Sequence, residues 1–379
     1  MKAELVENLI VAHCSGDEQL FSDALAKLVG DEEKKGNTPT AARLRRAYET
    51  KKNTDNGFSA SNSGAFAAQG SAVIPRDKDS LLELYEIVQS DIPLSDVVLP
   101  AGQMEIINKI IHEQKNAGNL LKHKMEPINR VLLCGPPGCG KTMTAYALGH
   151  ELNLPIAYVR LDGLVSSYLG QTSTNLRRVF DSVRTQRMIL FLDEFDAIAK
   201  KRDDSNELGE LKRVVTTLLQ NFDNMPANVL LVAATNHEHL LDPAIWRRFN
   251  VTITLEYPDE KERVMLIDKS LAKYNIGANI NTKKIAKLTE GMSGALIDEL
   301  ITAVAKKDLI DGPVKTEDVY QILIQQKTKY SDSSEESMRV ISEMLDNGVG
   351  YRTAANALGI SHSTLQYRIK KYREEKNNG

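Results

Sequence analysis

Cysteine is scarce: Cys14, Cys134 and Cys139 are the only three in 379 residues. Three scattered thiols cannot build a disulfide framework, and no CxxC or Cys/His cluster offers zinc spacing. Their scatter fits a reducing compartment, so the chain is expected in the cytoplasm. Long apolar runs are missing too. The longest, such as Met188–Leu192 and Val229–Ala234, fall far short of the roughly 20 residues that cross a bilayer, which predicts no membrane partner. An acidic, periodic stretch follows Met1, so no secretory signal is expected. A strong charge bias is also lacking: 48 Lys and Arg stand against 51 Asp and Glu, a net charge of −3. That balance excludes a general nucleic-acid coat and restricts any such contact to a local patch.

What is present is globular: 42% of residues are hydrophobic and 26% charged. The length predicts two or three domains. In residues 1–52, Leu5, Leu9 and Ile10, then Leu20, Phe21, Ala24, Leu25 and Leu28, recur at spacings of three and four. This predicts an N-terminal helical domain, either a docking module for a partner or a solvated cap. Residues 53–80 turn to Asn, Ser, Gly and Ala and read as a flexible linker. Residues 81–256 alternate helical stretches with the apolar strands Val131–Cys134, Pro155–Leu161, Met188–Leu192, Val229–Ala234 and Thr252–Leu255. That alternation predicts an α/β domain on a mostly parallel sheet. Residues 257–330 lack strands and read as a helical bundle, and 334–379 form a helical tail.

The chemistry begins with VLLCGPPGCGKT, a glycine-rich loop between an apolar strand and a helical run. This is a phosphate-binding loop in its expected context. Glycines let backbone N–H groups turn toward anionic oxygens, and the helix N-terminus adds favourable potential. The nucleotide-binding run is Pro137, Gly138, Cys139, Gly140, Lys141, Thr142 and Met143. Lys141 would reach the β- and γ-phosphates of ATP, and Thr142 would ligate Mg²⁺. MILFLDEFD then ends a buried strand with Asp193, placed to hold Mg²⁺, and Glu194, placed to activate the attacking water. VLLVAATN delivers Asn236 to the same sheet edge, where its amide can hold that water or sense the γ-phosphate.

From about Leu94 to about Lys327, GPPGCGKT, DEFDAIAKKR, ATNHEHLLDPAIWRRF and GMSGALIDEL stand in an order that resembles the AAA family of ATPases, on the protein-remodelling branch of AAA+. The resemblance implies an α/β P-loop NTPase sheet with a helical lid at 257–330. It also implies a homo-oligomer, a hexameric ring or spiral with ATP between neighbours. By the same likeness, Asp96, Val97 and Val98 line the adenine pocket, and Gly291–Ala295, with Gly294 and Ala295, bring the lid to the nucleotide. Arg247 and Arg248 correspond to the family's arginine fingers. They are adjacent here, where members often carry an insertion, so the role falls on the pair. An arginine crossing a subunit boundary stabilises charge on the transferring phosphoryl group. Such an interface is head-to-tail. Tyr168, Leu169 and Gly170 match the aromatic–aliphatic–Gly triplet that grips a protein client in the family's pore. The plain alternative is a Tyr packed under its loop.

The tail holds AANALGISHSTLQYRIKKY, a helix, a turn at Gly359 and a second helix with a basic end. It resembles a helix-turn-helix of the Fis type. By that likeness Ser361, His362, Thr364 and Tyr367 face DNA base edges or nearby phosphates, while Arg368 and Lys371 contact the backbone. The alternative is an appendage that docks on protein. Together these parts predict a Mg²⁺-dependent ATPase that remodels or unfolds a protein client, anchored to or regulated by DNA. The architecture suits a bacterial plasmid, phage or defence module working with a partner such as a protease. The competing expectation is an ATP-switched DNA-binding regulator whose nucleotide state sets oligomerisation.

Overall fold

The computed structural model describes residues 24, 27–29, 74–76, 83–161, 169–199, 208–276, 280–328 and 334–377. The chain divides into two units, Met1–Ser71 and Ala72–Gly379. In the first, Ala24 and Lys27, Leu28 and Val29 are helical, and Ala24, Leu28 and Val29 are buried. The rest of the expected N-terminal domain, and most of the linker, lie outside the described residues.

The second unit holds a six-stranded sheet. Its strands are β1 (Glu86–Val88), β2 (Arg130–Cys134), β3 (Ile156–Arg160), β4 (Met188–Asp193), β5 (Val229–Thr235) and β6 (Val251–Thr254), in the order β1-β3-β4-β5-β2-β6. All neighbours pair in parallel except β1, which runs antiparallel to β3. The five expected strands lie within one residue of their predicted ends. Their near-continuous apolar runs, VLLC, MILFL and VLLVAA, are what a sheet covered on both faces requires. β1 is an addition to the expected set: it is three residues long, and Glu86 and Ile87 are exposed, so it carries no apolar signal.

Alternate strand residues feed separate cores. Leu132, Val159, Leu190, Leu192 and Leu231 face one layer; Val131, Leu133, Ile189, Phe191, Leu230 and Val232 face the other. On the second face lie α1 (Ala101–Lys115), through Ile107, Ile110 and Ile111, and α3 (Lys141–Leu152), through Ala145 and Leu148. The short α2 (Ala117–Lys122) follows α1. The first face is covered by α4 (Leu169–Val183) and α6 (Leu208–Asp223), with the single-turn helices α5 (Asp196–Ala199) and α7 (Pro243–Trp246) beside them.

The helical half comprises α8 (Glu260–Lys273), α9 (Thr282–Leu288), α10 (Gly294–Asp311), α11 (Thr316–Thr328), α12 (Ser334–Asp346), α13 (Tyr351–Leu358) and α14 (His362–Asn377). Side chains fix the starts of α8 and α10. Asp259 and Glu262 form a reciprocal capping box at α8, with both bonds at 2.8 Å, and Ser293 caps α10. Gly359 ends α13 with φ 66°, a left-handed position where a Cβ is strained. One apolar core runs through this half without a break. Val319, Leu323 and Ile324 of α11 belong to the same cluster as Ile341 and Met344 of α12, Ala354 and Ala355 of α13, and Leu365 and Ile369 of α14.

Candidate functional site

The reactive groups gather at the carboxyl ends of β4, β5 and β2, which are neighbours in the sheet. Open α/β sheets bind ligands at such ends. The loop after β2 is shaped by close approach. Gly135 has φ 133°, and a Cβ there would sit 1.9 Å from the Leu255 carbonyl oxygen. Gly140, with φ 91°, precedes α3, and a Cβ on it would meet nothing within 4 Å. The end of the loop at Gly140, where α3 starts, therefore borders open space, which suits a polyphosphate.

Lys141 is 8% exposed, and its ammonium donates to the Gly135 and Pro136 carbonyls at 2.8 Å each. Burial pushes its pKa down, and burial likewise pushes the Cys139 thiol up. Thr142 Oγ1 lies 3.4 Å from Asp193 Oδ2, and the Tyr158 hydroxyl donates to that oxygen at 3.2 Å. A hydroxyl and a carboxylate oxygen meeting this way offer the hard oxygen ligands that Mg²⁺ takes. Glu194 is exposed with φ 50°, a left-handed backbone that costs a non-glycine residue about 1–2 kcal/mol. Its amide donates to Asp193 Oδ1 at 2.9 Å, and the Phe195 amide ties the turn to the Ala234 carbonyl at 2.8 Å. Strain held by such ties points the carboxylate into solvent at the strand end. Asn236 is exposed after β5, beside a turn fixed by the Thr235 hydroxyl, which donates to Asp196 Oδ1 at 2.9 Å.

Asp96 closes a single-turn helix, Leu94–Asp96, Val97 is buried and Val98 half-buried. The Lys269 ammonium of α8 donates to the Ser95 carbonyl, which ties this segment to the helical half. The Ala295 amide donates to the Gly138 carbonyl at 3.1 Å, and a Cβ on Gly138 would lie 2.7 Å from Ser293 Oγ. Met143 is exposed on the first turn of α3. Arg247 and Arg248 follow α7 with different surroundings. Arg248 grips Asp223 through Nε at 3.1 Å and Nη2 at 3.3 Å and donates to the Ala244 carbonyl. That hydrogen bond holds the Asp223 carboxyl below the usual carboxylate range. Arg247 is exposed, and no ion pair joins it among the described residues.

Tyr168 lies outside the described residues; Leu169 and Gly170 open α4. In the tail, Ser361 Oγ accepts from the Thr364 amide at 3.1 Å and lies 2.7 Å from Thr364 Oγ1, which caps α14. Ser361, His362, Tyr367, Arg368 and Lys371 are exposed, Tyr367 to 70%, and Thr364 is half-buried. Sequence reasoning missed Tyr158 and Asp223. The signal for Tyr158 was the single aromatic in a short, mostly aliphatic strand; Asp223 carried none, since only the fold brings it to Arg248.

A phosphate-binding loop, a carboxylate pair and a helical half touching the loop define a P-loop nucleoside triphosphatase. The profile of the AAA family, ATPases associated with various cellular activities, matches residues 131–257. An uncharacterized AAA family ATPase, y4kL of Sinorhizobium fredii, is 34% identical over 311 residues, covering 82% of this chain and 90% of that protein. The ribosome biogenesis ATPase RIX7 of Saccharomyces cerevisiae is 32% identical over 295 residues, 74% of this chain but 34% of that protein. The proteasome-activating nucleotidase of Saccharolobus solfataricus is 32% identical over 249 residues, 63% of each. The chain belongs to the AAA family of ATPases. It hydrolyses ATP and uses Mg²⁺ as its cofactor. Among the described residues, no helix is long and apolar enough to cross a membrane.

Proposed function

We propose that this ATPase assembles as a hexameric ring or spiral and uses ATP hydrolysis to remodel or unfold a protein client. Lys141 binds the β- and γ-phosphates, Thr142 and Asp193 hold Mg²⁺, Glu194 activates water and Asn236 senses the γ-phosphate. The metal supplies neutralisation of phosphate charge when bound. Asp96, Val97 and Val98 receive the adenine, and Gly294 and Ala295 bring the helical lid to the nucleotide. Tyr168, Leu169 and Gly170 grip the client. The observation that carries the assembly reading is the contrast between the two arginines. Arg248 is held by Asp223 in its own chain, whereas Arg247 stands exposed with no ion pair among the described residues. Arg247 is therefore the finger that enters a neighbour's site, and Arg248 is the brace that aims it.

The test is complementation. Arg247→Ala is expected to lower kcat by about 10³-fold. Lys141→Ala is inactive but still carries its finger. Mixing the two restores part of the activity if the finger acts in trans, and no recovery on mixing sinks the reading.

In the same reading, α13 and α14 place the ATPase at DNA, with Ser361, His362, Thr364 and Tyr367 at base edges or phosphates and Arg368 and Lys371 on the backbone. A partner such as a protease would act on the remodelled client. A second reading is a DNA-binding regulator switched by ATP. It draws support from the unbroken core between the lid and α12 to α14, through which nucleotide state can reach the tail. Tyr168→Ala separates the two: it abolishes client processing in the first and changes neither DNA binding nor regulation in the second.

A further inference from the structure

Asp193 has both carboxylate oxygens engaged by its own chain. Oδ1 accepts from the Glu194 amide at 2.9 Å; Oδ2 accepts from the Tyr158 hydroxyl at 3.2 Å and lies 3.4 Å from Thr142 Oγ1. Strand register explains how a residue of β3 reaches it. Tyr158 pairs with Phe191 and Arg160 with Asp193, so Tyr158 is the diagonal neighbour of the carboxylate on one sheet face. A long aromatic side chain spans that diagonal. The Tyr158 ring packs on Phe191 at 5.6 Å between centroids, and Phe191 meets Tyr146 edge-on at 6.4 Å. This aromatic layer fixes where the hydroxyl stands.

A half-buried tyrosine needs a partner for its O–H, and packing alone would explain the ring. The partner is what carries meaning: the hydroxyl donates to the carboxylate oxygen that also faces Thr142. We infer that Tyr158 is a positioning residue for the metal-holding carboxylate. Its hydroxyl keeps Asp193 in the orientation that receives Mg²⁺ with the nucleotide, and so sets metal affinity more than turnover. The inference rests on the reading of Asp193 as the Mg²⁺ holder. Loss of a partner that orients a metal ligand typically weakens metal binding about 10–100-fold.

The experiment measures binding of a fluorescent ADP to the full chain, first in EDTA and then across a Mg²⁺ titration, for wild type, Tyr158→Phe and Asp193→Asn. Tyr158→Phe keeps the ring and removes only the hydroxyl. It is expected to raise the Mg²⁺ concentration for half-maximal tightening by about tenfold, with ADP affinity in EDTA unchanged. Asp193→Asn is expected to raise it at least as far. A shift in Asp193→Asn alone overturns the role of Tyr158. No shift in either variant overturns the reading of Asp193 and this inference together. A loss of ADP affinity in EDTA as large as that in Mg²⁺ marks a packing defect and also overturns it.

Discussion

The sheet half and the helical half of Ala72–Gly379 place their polar chemistry in opposite ways. In the sheet half it stands at strand ends: Asp193 is the last residue of β4, Asn236 follows β5, and Lys141 opens the helix after β2. Backbone pairing fixes those positions, because neighbouring parallel strands carry their end residues to one edge. In the helical half it lies along the surface of α14, where Tyr367, Arg368 and Lys371 project from a helix whose Leu365 and Ile369 are buried. A strand end commits a side chain to a site shared with other strands. A helix surface commits it only to a face, and its role then depends on what meets that face.

The largest expected effect tests the sheet half. Glu194→Gln should lower kcat by about 10²–10⁴-fold while ADP binding stays intact. Turnover within a few-fold of wild type would remove Glu194 from the reaction. The next prediction tests whether the helical half is one body. Leu365 is fully buried in the core that the tail shares with α8 to α11. Leu365→Ala should cost about 2–5 kcal/mol and lower the melting temperature of α8 to α11 together with the tail, followed by calorimetry. A separate early transition, with nucleotide binding untouched, would break the comparison by making the tail independent. The smallest effect concerns pH. On α11, Asp318 accepts from the Lys307 ammonium at 2.7 Å and from the Lys315 amide at 2.9 Å, which hold its pKa below the ordinary aspartate value. A pKa depressed by folding gives stability that is full above the unfolded-state value and is lost as pH falls through the folded one. Asp318→Asn should therefore lower the melting temperature by a small constant amount above that range and flatten a small part of its acid-side slope, the two proteins converging below it. An unchanged slope would show that the Lys307 contact contributes nothing measurable, as many exposed pairs do.

Much of the sheet half was legible in the sequence because its signals are local. An apolar run followed by GPPGCGKT or DE fixes strand, end and side chain within a dozen residues. β1 was illegible because three residues with an exposed pattern carry no period. Tyr158 was visible as a residue and invisible as a partner of Asp193, since that contact exists only in the β3/β4 register. The unequal surroundings of Arg247 and Arg248 hang on Asp223, which lies 25 positions before Arg248 in the chain. In the helical half, the lack of strands marked a bundle over 257–330 and a helical tail over 334–379. It could not show that their apolar faces meet one another, because helical period tells which side is hidden and not what hides it.

The unbroken core bears on how such a chain can be recombined. A different tail could not be grafted after residue 330 without also replacing the face of α11 that carries Val319, Leu323 and Ile324. The unit of exchange is the helical half as a whole, so the workable seam lies before α8, where Asp259 and Glu262 start a new helix with their own cap. Lineages that swap their tails at that seam would inherit α8 to α14 together, and the surface of α14 would change in step with Ser293 and Ala295, which touch the phosphate loop.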